Sequence, residues 1–134
     1  MENIQKKHIL YSAVVLDEKS HDKLYNYLKT LIPKDWTVYC HHMTINMGAI
    51  KPEYERYVGT RVRMTVDGFG IGEKVSAVKC TVSGIQSTNQ ISHITVAVDV
   101  NTGGKPSMSN QITRWFDIKR PLSLTGVVTE IEAN

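Results

Sequence analysis

Two His-x-Thr triplets in the sequence each combine a proton-transfer group with a hydroxyl group. The first, HMT, occupies residues 42–44, and the second, HIT, occupies residues 93–95. Both lie inside runs rich in apolar and β-branched residues, which are typical of strands. Because side chains alternate between the two faces of a strand, the histidine and threonine of each triplet share one face, and the apolar residue between them points to the other. The pattern predicts two strands that each present one imidazole and one hydroxyl on the same side.

Two imidazoles and two hydroxyls are suited to the cleavage of a phosphodiester. A neutral imidazole can take a proton from water while a protonated imidazole gives one to a leaving alkoxide, and the unperturbed histidine pKa of ~6.5 allows both forms near neutral pH. Threonine hydroxyls can donate hydrogen bonds to the non-bridging phosphate oxygens, which gain charge in the transition state. A single histidine beside a threonine on a strand is commonly a surface pair, but two such triplets together favour a shared site around one phosphate.

The histidine that precedes the first triplet is predicted to have a different role. Strand alternation puts His41 in register with Tyr39 and Met43, and therefore on the face opposite His42. We expect His42 to face a cleft and His41 to lie on the packed side of the strand or at its edge.

Metal binding and nucleophilic catalysis are the main chemical alternatives. A zinc site needs three or four His, Cys or carboxylate ligands. Cys40 shares the strand parity of His42, but no comparable ligand accompanies His93. Because Cys40 and His41 are neighbours on a strand and face opposite ways, a thiolate–imidazole pair is disfavoured and Cys40 is expected to be buried. The sequence predicts neither a metal nor another cofactor.

The composition is that of one globular domain spanning residues 1–134. Apolar residues make up 41% of the chain and charged residues 22%, and no run approaches the ~18 apolar residues that span a bilayer. The first ten residues contain no apolar leader segment, and Cys40 and Cys80 have neither CxxC spacing nor a disulfide framework around them. We expect a monomeric, cytoplasmic protein with buried thiols and no membrane contact. The net charge of +3 permits a phosphate-bearing partner without demanding one.

The elements that must position the triplets follow from hydrophobic periodicity and turn residues. Three leucines recur at helical spacing between Ser20, a plausible N-cap, and the helix-terminating Pro33. A second helix is predicted within residues 105–117, where apolar side chains again recur at helical spacing after capping serines. The remaining periodic segments predict strands at residues 8–17, 37–47, 60–70, 74–84, 90–100 and 122–133.

This order of elements predicts an α+β domain in which helices pack against a largely antiparallel sheet. The order is nearly mirror-like, with one helix and one histidine-bearing strand in each half of the chain. It therefore indicates a diverged internal duplication.

The two triplets also resemble a known family motif. HMTI at residues 42–45 and HITV at residues 93–96 are similar to the paired H-x-[T/S]-φ motifs of the two-histidine (2H) phosphoesterases. The segment HITVAVDVNTGGKPSMSN, residues 93–110, resembles the second motif and the following Lys-Pro-x-x-Ser-Asn segment of the cyclic phosphodiesterase domains that end some tRNA ligases. The opening strand and helix are similar to the start of those domains, so the resemblance covers most of the chain.

The resemblance implies a two-lobed, duplicated fold of largely antiparallel sheets around a central cleft, with helices packed outside. It implies a metal-independent phosphodiesterase acting on a 2′,3′-cyclic phosphate or on a 2′,5′-linked or cyclic oligonucleotide. The partner would be an RNA end, an oligonucleotide or a cyclic nucleotide. The implied acid–base pair is His42 and His93, the implied phosphate ligands are Thr44 and Thr95, and the implied substrate contacts are Lys105, Ser109 and Asn110.

Alternatives to this interpretation remain at the level of the sequence. On its residues alone, GGKPSMSN is a glycine turn leading into a helix capped by Ser107 or Ser109, with Lys105 on the surface. The same fold without catalysis would be a module that binds RNA ends or cyclic nucleotides. A structural or interaction protein with two incidental triplets is the remaining class.

Overall fold

The computed structural model describes residues 8–133, and strands dominate it. One α-helix and four short 3₁₀ helices connect the strands. The 3₁₀ helices cover Lys29–Leu31, Pro52–Tyr57, Val100–Thr102 and Pro106–Gln111. The main elements are β1 (Ile9–Leu16), α1 (Glu18–Leu28), β2 (Thr37–Val38), β3 (His42–Met47), β4 (Arg61–Ile71), β5 (Val75–Val82), β6 (His93–Val98) and β7 (Arg114–Glu132).

Six of the strands close into a barrel. Around it the order is β6, β3, β1, β7, β4 and β5, and pairing of β5 with β6 completes the ring. Short β2 pairs with β6 as well, and every strand pair is antiparallel. The α+β class and the largely antiparallel sheet are therefore confirmed.

One apolar core draws on all six barrel strands and on α1. Alternation along each strand turns every second side chain toward this core, and full burial of one large aliphatic side chain stabilises the fold by about 1.5–3 kcal/mol. On the two histidine-bearing strands, Met43 and Ile94 are fully buried in it. The opposite face of β3 and β6 is thereby left free for polar groups. Other members of the core include Val14, Leu24, Leu28, Met64, Val78, Leu124 and Val128.

The first helix forms where it was predicted, but with a different cap. The carboxylate of Asp17 accepts a hydrogen bond from the backbone nitrogen of Ser20 at 2.8 Å, so Asp17 is the N-cap and not Ser20. The Ser20 hydroxyl is buried and accepts from the backbone nitrogen of Thr125 on β7. Regular helix ends at Leu28, before Pro33, and Leu31 is exposed beyond it.

The predicted helix within residues 105–117 is wrong. Pro106–Gln111 is a 3₁₀ helix, and β7 already begins at Arg114. Trp115 pairs with Gly70 of β4, so the aromatic end of the segment is held by a strand ladder. The helical spacing of the apolar residues has another cause: Met108 and Trp115 both pack against a second, smaller apolar cluster.

The predicted strand over residues 37–47 is interrupted in its middle. Cys40 has a φ of 48°, a left-handed conformation that is uncommon outside glycine. Val38 pairs with Ala97 and Met43 pairs with Ile94, so extra residues bulge out between β2 and β3. Side-chain alternation therefore cannot be carried from Val38 across to Met43.

Three remaining expectations concern the chain ends, the thiols and membrane contact. Residues 1–7, most of the stretch in which no leader was found, lie outside the described residues. Cys40 and Cys80 are both free and buried, as predicted. Within residues 8–133, no helix is long and apolar enough to cross a membrane.

Candidate active site

A cleft of about 500 Å³ lies on the side of β3 and β6 that faces away from the barrel core. Both His-x-Thr pairs line it, so the structure brings together His42, Thr44, His93 and Thr95. The cleft volume falls in the range of small-molecule sites. Its other walls come from β1, the bulge before β3, the end of β3, the loop before β6 and the 3₁₀ helix Pro106–Gln111: Tyr11, Tyr39, His41, Met47, Asn89, Pro106, Ser107 and Asn110.

The register of β3 and β6 arranges the four polar side chains as a square. The strands are antiparallel, and Met43 pairs with Ile94. Extended from that pair, the antiparallel register puts Thr44, one residue further along β3, beside His93, one residue back along β6, and it puts His42 beside Thr95. The two histidines are then diagonal neighbours, a relation that separates residues on adjacent strands by about 7–8 Å, and their Cβ atoms by somewhat less. That spacing leaves room for one phosphate between the imidazoles.

His93 is held in a defined tautomer. Its ring is buried, and its Nδ1 lies 2.7 Å from the carbonyl oxygen of Ile91. Because a carbonyl oxygen only accepts, Nδ1 carries the proton and donates it. The second nitrogen, Nε2, is left for exchange of a proton with a substrate, whether the ring is neutral or charged.

His42 is held between two rings. Its Nδ1 lies 2.9 Å from the Nδ1 of His41, and its ring centroid lies 5.0 Å from that of Tyr11. Burial, and to a smaller extent the nearby His41 and His93 imidazoles, together lower the pKa of His42 from 6.5 to about 4. His42 is therefore neutral at neutral pH and suited to accept a proton.

The expectation that His41 lies on the face opposite His42 is wrong. Its side chain is exposed and lines the cleft beside His42, instead of lying on the packed side of the strand. The left-handed backbone of Cys40 resets the alternation, so His41 and Tyr39 both reach the cleft. No sequence signal marks this conformation, because Cys40 is neither a glycine nor an asparagine.

The segment after β6 holds the Thr95 side chain through a hydrogen bond. The hydroxyl of Ser109 is buried and hydrogen-bonds to the Thr95 hydroxyl at 2.8 Å. Asn110 lines the cleft, whereas Lys105 is exposed and is not one of the lining residues. Of the three expected substrate contacts, Asn110 borders the cleft, Ser109 contacts a cleft residue, and Lys105 lies outside.

Other cleft residues were missed because their positions depend on long-range pairing. Tyr11 reaches the cleft because β1 pairs with β3, where it lies opposite Met47. Once that pairing is known, its place beside β3 follows from register, but the sequence alone does not give the pairing. Asn89 comes from an irregular loop, and no periodic signal covers it.

The thiol of Cys40 is unsuited to metal binding or nucleophilic attack. It is fully buried, lies 3.8 Å from the carbonyl oxygen of Val96, and burial raises its pKa to about 12. Over residues 8–133, no three His, Cys, Asp or Glu side chains are grouped so as to hold a metal ion. The groups available for chemistry in the cleft are therefore imidazoles, hydroxyls and amides.

Known sequences offer no assignment. No protein-family model matches the chain, and no curated protein matches it. The functional interpretation accordingly rests on the residues of the cleft and their geometry.

Proposed function

We propose that this chain is a metal-independent phosphodiesterase that hydrolyses a 2′,3′-cyclic phosphate or a 2′,5′-linked or cyclic oligonucleotide by general acid–base catalysis with two histidines. One observation carries the proposal: two imidazoles and two threonine hydroxyls converge on one cleft from adjacent antiparallel strands. Each of the two imidazoles also has its Nδ1 engaged by another group of the protein.

The geometry supports distinct roles for the two histidines. Neutral His42 takes a proton from water as the water oxygen bonds to phosphorus, because its low pKa keeps it unprotonated. The bond from phosphorus to the leaving oxygen breaks, and protonated His93 gives its Nε2 proton to that oxygen. The reaction yields a phosphomonoester and an alcohol, which are two molecules for a linear substrate and two groups of one molecule for a cyclic substrate. The hydroxyls of Thr44 and Thr95 donate to the non-bridging oxygens, where negative charge increases.

The wall composition favours catalysis over simple binding. Of the described residues that line the cleft, none is lysine or arginine. A module that only holds RNA ends or cyclic nucleotides gains most of its affinity from cations beside phosphate. A cleft built around two imidazoles is better suited to moving protons than to holding a dianion.

We further propose that the barrel is a duplicated, two-lobed 2H fold. Exchanging β1, β3 and β4 with β5, β6 and β7, in that order, maps every pairing within the barrel onto an existing pairing: β3–β6 and β4–β7 map onto themselves, and the other four exchange in twos. After each histidine-bearing strand, a Lys-Pro pair opens a six-residue 3₁₀ helix, first at Pro52–Tyr57 and then at Pro106–Gln111. Both observations support two halves of common origin, with one His-x-Thr triplet in each.

A substrate panel tests the proposed function. The purified chain is incubated with EDTA and 2′,3′-cyclic mononucleotides, 2′,5′- and 3′,5′-dinucleotides and cyclic dinucleotides, and products are resolved by chromatography. We expect turnover of at least one 2′,3′-cyclic, 2′,5′-linked or cyclic substrate, and turnover slower by ~10²–10⁴-fold in a His93→Ala preparation that controls for contaminating nuclease. Turnover that EDTA abolishes and zinc or manganese restores, or no turnover of any substrate, would overturn the proposal.

A further inference from the structure

A second cavity, of about 490 Å³, adjoins the cleft. Asn89 and Asn110 line both spaces, so these two residues form the border between them. Ile91 and Ser109 also line the second cavity, and they are the residues that hydrogen-bond to His93 and Thr95. The second cavity therefore opens on the His93 side of the phosphate position.

The walls of this cavity combine polar and apolar side chains, and none of the described lining residues is charged. Asn89, Gln90 and Asn110 supply amide donors and acceptors, Thr113 supplies a hydroxyl, and Trp115 supplies an aromatic wall. Amides can pair with the donor and acceptor edges of a nucleobase, and aromatic rings stack on its face. The described lining includes no cation to pair with a second phosphate. A neutral nucleoside is the occupant that these groups fit.

The aromatic wall is fixed before any ligand binds. The indole nitrogen of Trp115 donates a hydrogen bond to the carbonyl oxygen of Ile112 at 3.1 Å. On the neighbouring strand, a Cβ at Gly70 would lie only 2.6 Å from the six-membered part of the indole ring. The indole ring therefore packs directly against the backbone of Gly70. Because the ring is already ordered, little side-chain entropy is lost when a ligand binds against it.

We propose that this cavity is a subsite for a neutral nucleoside, and that the substrate carries one nucleoside on each side of the cleaved phosphate. The proposal rests on the proposed function for the position of that phosphate. One nucleoside occupies the cleft beside Tyr11 and Tyr39, and the other occupies the second cavity against Trp115. The substrate class is then a linear dinucleoside phosphodiester unit, and a 2′,3′-cyclic mononucleotide fills only half of the site.

Binding can be measured without turnover. Trp36 and Trp115 are the two tryptophans of the chain, so a Trp36→Phe variant reports fluorescence from Trp115 alone. Adding His42→Ala slows the proposed reaction by ~10²–10⁴-fold, so that binding can be followed before the substrate is consumed. We expect 2′,5′-linked diadenosine monophosphate to quench this fluorescence and to bind at least ~5-fold more tightly than adenosine 2′-monophosphate, which is the low end for base stacking on an aromatic side chain. Equal affinity, or no quenching, would contradict the subsite.

Kinetics with matched variants give the second arm of the test. Trp115→Ala should raise KM for the dinucleotide at least ~5-fold and leave KM for 2′,3′-cyclic AMP unchanged. Phe116→Ala, at the exposed neighbour that lines neither space, should change neither. If Trp115→Ala fails to fold, Thr113→Trp at an exposed position narrows the cavity instead and should produce the same selective loss.

The two proposals can fail separately. Equal effects of Trp115→Ala or Thr113→Trp on both substrates, in folded protein, would overturn the subsite while leaving phosphodiester cleavage intact. Tighter binding of a cyclic dinucleotide than of the linear dinucleotide would overturn the linear assignment. If no substrate is cleaved and the dinucleotide still quenches Trp115 with the expected preference, the subsite stands and the proposed catalysis fails.

Discussion

The acid limb of the pH–rate profile follows from the way His42 is held. A pKa of about 4 keeps about 90% of His42 neutral at pH 5, whereas a pKa of 6.5 would keep only about 3% neutral. Since kcat/KM reports the ionisation of the free enzyme, kcat/KM at pH 5 should remain close to its plateau value. The difference between the two cases is about 30-fold, which is large compared with the error of a rate measurement.

The assay follows initial rates on a substrate well below KM from pH 3.5 to pH 8 at constant ionic strength. Fluorescence at each pH confirms that the protein is still folded. His41→Ala provides a matched perturbation, because it removes one of the neighbours that lower the pKa of His42. Its acid limb should move upward, but not as far as 6.5, because burial is the larger cause and remains.

Two results would refute this reasoning. A wild-type acid limb centred near pH 6.5 would mean that His42 is not the base or is not buried as the structure has it. An acid limb that moves to lower pH in His41→Ala would mean that the net effect of the His41 imidazole is to stabilise protonated His42, through the contact between their Nδ1 atoms.

Three further predictions concern the hydrogen bond from Ser109 to Thr95, the contribution of Lys105 to substrate binding, and the effect of His42 on the pH dependence of stability. Ser109→Ala removes the hydrogen bond to Thr95 and should lower kcat about 5-fold, the equivalent of one ordinary hydrogen bond of ~1 kcal/mol. An unchanged kcat would show that this hydrogen bond does not help to position Thr95. Lys105→Ala should raise KM several-fold at constant kcat, because Lys105 is exposed and immediately precedes the cleft residue Pro106 in the chain. Lys119→Ala is the control, and equal KM values for both variants would mean that Lys105 belongs to a surface turn without contact to the substrate. The free energy of unfolding should fall by up to about 3 kcal/mol as pH drops from 6.5 toward 4, since His42 in the unfolded state then binds a proton that folded His42 excludes. Urea midpoints measured across this pH range should fall less for His42→Ala than for the wild type. The same pH dependence in both proteins would count against the low pKa of His42.

The shared face of each His-x-Thr triplet could be predicted because strand alternation is a local property. Across each triplet the side chains alternate, so Met43 and Ile94 turn inward and the histidines turn to the cleft. The register shifts in β3 and β6 lie beyond Thr44 and Thr95 and do not disturb the triplets. The α+β class followed from the same local periodicities. Closure of the strands into a barrel did not, because it depends on pairing of β5 with β6 and of β1 with β7.

Two misassignments have physical causes that a local pattern does not contain. Helical spacing around Trp115 predicts a helix, but a turn followed by a strand can also bring such residues to one apolar cluster, and pairing with β4 makes this segment a strand. Strand alternation fails to place His41 because the backbone of Cys40 is left-handed. The tautomer of His93 likewise depends on the carbonyl of Ile91, which the sequence alone does not place.

The central claim is that His42 and His93 move the protons in a single reaction step. The most direct measurement is kcat for His42→Ala, His93→Ala and the double variant on the best substrate of the panel. We expect each single variant to lose ~10²–10⁴-fold, and the double variant to be hardly worse than the poorer single one, because effects of groups that act together are strongly non-additive. A wild-type kcat in either single variant, with the fold intact, would contradict the account.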